Sequence, residues 1–218
     1  MSKTETALIA ETRADRFVKI LAAALLHTTA PGDGLETLET LKIETSVDAR
    51  HPIVWATDRF TAIALTVDAT LYSTDPWTFV MRRVDAEEII AGYKRVGRQG
   101  MLALESDGEG AVHVSVTGSS ARFKVSGAEY EFPPITRLWA SADALRATPG
   151  VATALDDRYI EKFRKSRVSA SDRLVAYFRE DDERGTKPVQ VMVGEYGVGL
   201  VMPFRSDGRN DAMGVIGL

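Results

Sequence analysis

The spacing of apolar residues switches between a helical period and a two-residue period along this chain, and the switch repeats. Residues 13–26 (RADRFVKILAAALL) set Ala14, Phe17, Val18, Leu21, Ala24 and Leu25 on one face, the mark of a helix that buries one side. The pattern returns in 85–99, with Ile89, Ile90, Tyr93 and Val96 inward, and in 156–167, with Tyr159, Ile160 and Phe163 inward. Asp85 with Glu88 three residues on predicts a capping box at the start of the second helix. Alternating stretches predict strands at 38–47, 52–58 and 60–69 after the first helix, and at 77–84 leading into the second. Further strands are predicted at 101–106, 111–118 and 121–130, and after the third helix at 174–180, 188–195 and 197–206. Strands this short, joined by turns such as SDGEG, GSS and DDERGTK, predict antiparallel sheets and an α+β fold of repeated helix-plus-sheet units with the helices on one side.

Periodicity is weakest over 132–150, where Pro133, Pro134 and Pro149 disfavour regular structure apart from a short helix around 141–146. The expected organisation is a complete domain of two units over 1–135, a connector over 136–150, a third unit over 151–206 and a flexible tail over 207–218.

An apolar fraction of 44% and a charged fraction of 27% are those of an ordinary globular protein. The absence of cysteine excludes disulfides, thiol catalysis and thiolate metal sites. No apolar run approaches the roughly 20 residues that cross a bilayer, and the N-terminus lacks the basic-then-apolar order of a secretory signal; the expected address is cytoplasmic, without membrane contact.

Catalytic patterns are missing. The sequence has no Gly-x-Ser-x-Gly elbow, no phosphate-cradling glycine motif and no metal-ligand spacing around His27, His51 or His113, which read as surface or turn histidines. Glu87, Glu88, Asp156, Asp157 and Glu161 sit near helix starts, where they favour the helix dipole. Scattered Asp58, Asp68 and Asp75 do not converge on a base or nucleophile. Trp55 and Trp77 fall in strand patterns and read as core or interface, while Trp139 lies in the connector without a strand to explain it. No enzyme activity and no cofactor are expected.

What remains is charge on helices. Arg13, Arg16 and Lys19 lie on the outer face of the first helix, Lys94, Arg95 and Arg98 on that of the second, and Arg158, Lys162, Arg164, Lys165 and Arg167 on that of the third. Any one such face is ordinarily solvated surface, but three on one side of a sheet make a candidate lining for phosphates without base readout. The formal net charge of −4 opposes nonspecific capture of DNA at long range, so contact must be local or topological.

Several stretches resemble the bacterial DNA polymerase III beta subunit family, the replicative sliding clamps, in a short or phage- or plasmid-like form. ATDRFTAIALTV (56–67) resembles the family's Thr-Asp-x-x-x-x-Ala strand pair, and GSSARFKVSGAEYEFPPI (118–135) its Ser-Gly-x-Ser-x-Phe strand with the following Asp-Phe-Pro. ALDDRYIEKF (154–163) is similar to the start of a clamp helix, and KPVQVMVGEYGVGLVMPFR (187–205) to the closing strands with their Val-Met-Pro-x-Arg end. The resemblance implies a ring whose helices face duplex DNA, made by self-association, and a processivity role for a polymerase. It also implies a pocket at Val201, Met202, Pro203, Phe204 and Arg205 for short linear peptides of polymerases and clamp loaders, with Phe204 where the family usually has Met. The family's chains hold three two-unit domains; this one shows three units. The alternative is a clamp-like protein-binding module or inhibitor that does not encircle DNA.

Overall fold

The computed structural model describes residues 6–45, 50–96, 100–139, 144–146, 155–182 and 184–203. The chain runs β1 (Ala7–Arg13), α1 (Ala14–Leu25), β2 (Thr40–Thr45), β3 (Ile53–Thr57), β4 (Thr61–Thr66), β5 (Ala69–Leu71), β6 (Trp77–Arg82), α2 (Arg83–Val96), β7 (Met101–Ser106), β8 (Ala111–Val116) and β9 (Arg122–Ser126). It continues with β10 (Leu145–Arg146), α3 (Asp157–Lys165), β11 (Leu174–Arg179), β12 (Val189–Val193) and β13 (Gly197–Val201). The fold is α+β, with antiparallel pairing throughout both sheets. No described helix is long and apolar enough to cross a membrane.

The predicted helices and most strands stand where periodicity puts them; the exceptions have local causes. β1 escapes the pattern because a register shift between Leu8 and Ala10 breaks its alternation. β6 runs without a break into α2, which therefore begins at Arg83. The capping box is thus corrected: Asp85 lies inside the first turn and accepts two hydrogen bonds, each 2.9 Å, from the Arg82 guanidinium. The described part of the expected 141–146 helix includes the two-residue strand β10.

The two sheets are ordered β5-β1-β7-β8-β9 and β10-β11-β12-β13-β4-β3-β2-β6. Strands cross between units: β1, leading into α1, pairs with β7 behind α2, and β6, leading into α2, pairs with β2 behind α1. The helices follow the same exchange. The Ala14 amide at the start of α1 donates to Gly100 O beyond α2, while Arg83 at the start of α2 donates to Leu25 O at the end of α1. α1 and α2 therefore lie antiparallel, related by a pseudo-twofold. α2 approaches β9 closely because Gly92 has no side chain; a Cβ there would sit 2.2 Å from the Phe123 ring.

One face of the eight-stranded sheet is the core. Val193, Gly197, Leu65, Val54, Ile43 and Phe79 follow one another across the ladder, and all are buried. In the next row Val191, Gly199, Ile63 and Ala56 do the same. α1 packs on this face through β3 and β4, and α3 through β12 and β13. The opposite face is capped by the segment around Ile135 and Trp139, whose indole meets Trp55 edge-on at 5.3 Å; Trp139 closes the outer side of the sheet.

Because β13 pairs with β4 over five residue pairs, α3 is carried to the end of α1. There His27 is fully buried, correcting its reading as a surface or turn residue. Its Nδ1 is 2.9 Å from Thr61 Oγ1 and its Nε2 is 3.0 Å from Ser166 Oγ, while its ring lies 4.6 Å from that of Phe163. The Asp58 carboxylate holds Thr61 through its amide (2.7 Å) and hydroxyl (2.8 Å), and also takes the Lys162 ammonium. Ser166, His27, Thr61 and Asp58 thus form a chain superficially like a hydrolase relay. Ser166 and His27 have no exposure at all, which makes the chain a structural joint.

A Cβ at Gly199 would lie 2.1 Å from Phe163 Cε1 and 2.8 Å from the immobile Ala62 carbonyl, so Gly199→Ala is expected to cost about 1–3 kcal/mol of overpacking, read as a lower urea midpoint. Burial pulls the His27 pKa down to about 3, with Asp58 opposing the shift and Lys162 adding to it. The unfolded chain therefore binds the proton first, and His27 contributes stability above pH 6.5 that is lost as pH falls from there toward 3. His27→Gln is expected to flatten the loss of stability between pH 6.5 and 4 relative to the parent; identical slopes in paired urea titrations would contradict it.

Candidate nucleic-acid interface

Most of the predicted cations lie on α1, α2 and α3, with Arg13 just before α1 and Arg167 just after α3, and their surroundings divide them. Lys19 on α1, and Lys94 and Arg95 on α2, are exposed, and among the described residues no ion pair or hydrogen bond engages their side chains. Because α1 and α2 pack against each other, these three lie on neighbouring helices. Arg98 lies outside the described residues.

A second group is exposed but paired locally. Arg13 meets Asp15 at 3.0 Å. Arg158 meets the N-capping Asp156 at 2.6 Å and holds its carboxyl down to about 2. Arg164 and Lys165 share Glu161, and Arg164 is the main reason that carboxyl is held down to about 2. Water screens such exposed pairs, so they add little stability and a phosphate can exchange with the carboxylate at small cost.

Structural work claims the third group. Arg16 binds Asp68, donates to the Tyr196 hydroxyl at 2.9 Å and lies 4.8 Å above that ring, tying α1 to the β12–β13 turn. Lys162 is drawn onto Asp58, which is only 8% exposed at its side chain. Arg167 donates to Arg164 O at 2.9 Å and to Asp172 O at 3.4 Å, closing the end of α3. Glu87, Glu88 and Asp157 are exposed on the same helices, so the surface is mixed in sign. It can meet a phosphate backbone weakly but cannot grip it.

A separate apolar patch lies where β13 ends. Val201 is buried, Met202 is 37% exposed and Pro203 is half-buried, while Phe204 and Arg205 lie outside the described residues. The Met202 amide donates to Phe60 O at 2.8 Å, which places it beside the β3–β4 turn. Phe60 at that turn is 50% exposed and stacks on Tyr159 of α3, with 5.3 Å between centroids. The turn is set by Asp58, which accepts from the Phe60 and Thr61 amides, and by Arg59 in the left-handed region at φ 83°. Phe60 and Tyr159 escape a reading of the sequence for sites; the available signal is a large aromatic residue at a turn where polar residues are usual.

Among the described residues no group of three or more His, Asp or Glu side chains is placed to hold a metal ion.

No family model and no curated protein matches the sequence. Solved structures do match. They include the DNA polymerase III beta of Caulobacter crescentus (14% identity, TM-score 0.71, 94% of this chain and 68% of that one) and the DNA polymerase III beta subunit of Thermotoga maritima (11%, 0.69, 94% and 68%). A DNA polymerase sliding clamp from Pseudomonas aeruginosa matches over 91% of this chain and 67% of its own, at 10% identity and a TM-score of 0.66. This chain thus spans about two thirds of the length of those clamps, and the architecture that its exchanged strands and one-sided helices build is the sliding-clamp fold.

Proposed function

We propose that this chain is a noncatalytic clamp that self-associates around duplex DNA and tethers a DNA polymerase or another DNA enzyme to it. The observation that carries the reading is that α1 and α3 cover one face of a single eight-stranded sheet, with α2 packed beside α1. A ring built from such sheets holds its helices toward the hole. Lys19, Lys94 and Arg95 are the side chains proposed to meet phosphates directly, and Arg13, Arg158, Arg164 and Lys165 those that exchange a carboxylate for one. Arg16, Lys162 and Arg167 serve the lining by fixing the helices that carry it, and Arg98 is proposed to add its charge to the DNA-facing set.

Physical chemistry favours weak contact in such a device. A ring is retained by closure, so attraction need only centre the duplex, and strong pairing would slow sliding. This accounts for a net charge of −4 in a DNA-handling protein. Tethering then raises the effective concentration of the bound enzyme at its substrate.

The patch of Phe60, Tyr159, Met202 and Pro203, with Val201 beneath and Phe204 and Arg205 following, is proposed to take the short linear peptides of polymerase and loader partners. Exposed methionine and aromatic surface suits varied apolar side chains. The same patch favours the second reading, a clamp-like module that binds or inhibits a replication protein without encircling DNA.

Two measurements test these readings. On the first, the protein stays on nicked circular DNA and slides off once the circle is linearised. The triple variant Lys19→Glu, Lys94→Glu, Arg95→Glu should lose retention, and its log-affinity should depend less on log salt by about 0.9 for each phosphate contact removed. Equal retention on circular and linear DNA would exclude encirclement. For the patch, Phe60→Ser or Met202→Ser should weaken binding of fluorescein-labelled peptides with large apolar side chains by about tenfold or more. Both sites are exposed, so the urea midpoint should hardly move; unchanged peptide affinity would remove the site.

A further inference from the structure

Between α3 and β11 the chain reads Arg167-Val168-Ser169-Ala170-Ser171-Asp172-Arg173, and only Arg167 enters the function proposed above. This loop and the β12–β13 turn border a cleft of about 570 Å³, every lining residue of which is described. The two sides are locked together. The Gly194 amide donates to Arg173 O at 3.0 Å, and Gly194 stands so close to Asp172 that a Cβ on it would lie 2.5 Å from the carboxyl carbon. Arg16 fixes a third side from α1, through Asp68 and the Tyr196 hydroxyl. A cleft whose walls are already joined can bind without first ordering them.

The polar groups of the cleft differ in what they have left to give. Asp172 spends its carboxylate within the loop, where one oxygen accepts from the Val168 amide at 3.0 Å and the Ser169 amide at 2.9 Å. Ser169 and Ser171 are exposed, with their hydroxyl oxygens 2.9 Å apart. Arg173 is exposed too, and among the described residues no ion pair or hydrogen bond engages its side chain. Two hydroxyls at that separation can each donate to one oxygen of a tetrahedral anion, while the guanidinium supplies the charge and a forked contact. Glu195, also exposed at the cleft, opposes an anion and limits its affinity. The volume far exceeds a bare phosphate ion and is that of a small-molecule site. Val175, 39% exposed, and the half-buried Met192 add apolar surface beside the hydroxyls.

We propose that this cleft binds the phosphate of a nucleotide, with Ser169, Ser171 and Arg173 holding the phosphate and Val175 and Met192 receiving the nucleoside. Arg16, committed to Asp68 and Tyr196, is a fixed wall and not a ligand. The site is separate from Lys19, Lys94 and Arg95 and does not depend on a ring. Its nucleotide is either free or one link of a DNA strand.

Titration of the full chain at constant ionic strength, followed by the NMR shifts of its amides, tests the site with inorganic phosphate, dAMP and a short DNA duplex. Phosphate should give saturating shifts at Ser169–Arg173 and Gly194–Tyr196, and dAMP should bind more tightly. Arg173→Ala should weaken both by about tenfold or more, Ser169→Ala with Ser171→Ala by about threefold or more, and Glu195→Gln should tighten both. These positions are exposed, so the urea midpoint should hardly move. Shifts that fail to saturate or spread equally to Lys19, Lys94 and Arg95, or an Arg173→Ala variant that binds like the parent, would overturn the site. Affinity for dAMP no higher than for phosphate would overturn the nucleotide assignment. The duplex identifies the source: movement of the same amides, lost in Arg173→Ala, assigns the phosphate to DNA, and unmoved amides assign it to a free nucleotide. A chain that binds dAMP here yet fails to stay on circular DNA overturns encirclement and leaves the cleft in place.

Discussion

The joint at His27 holds α3 to the end of α1, and the described surfaces of α3 and β11–β13 take their position from it. The ladder between β13 and β4 sets the distance, and the Phe163 ring in the space left by Gly199 sets the depth. The chain of Ser166, His27, Thr61 and Asp58 sets the lateral position. A buried polar joint of this kind contributes little net energy when intact but costs several kcal/mol when one partner is removed. It therefore works as a register device: only one placement of α3 satisfies all of its groups.

The same joint explains why cations that look alike in the sequence differ in the fold. A helix near a buried carboxylate must supply its counterion, and Lys162 is the α3 cation within reach of Asp58. Arg16 is taken by Asp68 and Tyr196, which lie far away in sequence and close in space. Lys19, Lys94 and Arg95 lie on flanks where no described acid pairs with them. An exposed cation with no internal debt is the kind that a passing phosphate can use, and on the clamp reading three such groups on adjacent helices suffice where closure does the holding.

The helices and most strands were legible because their burial is periodic: Phe17, Leu21 and Leu25 announce α1, and the Val112, Val114, Val116 series announces β8. β1 was not, because its bulge breaks the alternation and because Ala10 and Thr12 are core residues that do not look apolar enough. The antiparallel, α+β class followed from the short turns, but the exchange of β1 and β6 between units did not, since nothing local distinguishes pairing within a unit from pairing across two. His27 was misread for a related reason. Its partners Thr61 and Ser166 are 34 and 139 residues away, so no spacing pattern signals them. The basic faces were readable as faces; which of their charges are already committed depends on Asp58, Asp68 and Asp156, and is fixed only by the tertiary structure. Phe60 and Tyr159 meet only because α3 is docked.

Strand exchange also bears on how a chain of three units can be stable. In the first body each unit lends its leading strand to the other, so neither half is complete without its mate, and the core between them closes on both sides. The third unit differs: it joins the first body through β4, and among the described residues its far strand β11 pairs with β10 at Phe178 and Arg179. Its inner surface is accordingly the least buried part of the core, with Ile160, Ala176 and Phe178 all partly exposed. The described core thus thins from the doubled body toward the third unit, which leaves the β4–β13 ladder and the His27 joint as the contacts that set where α3 stands.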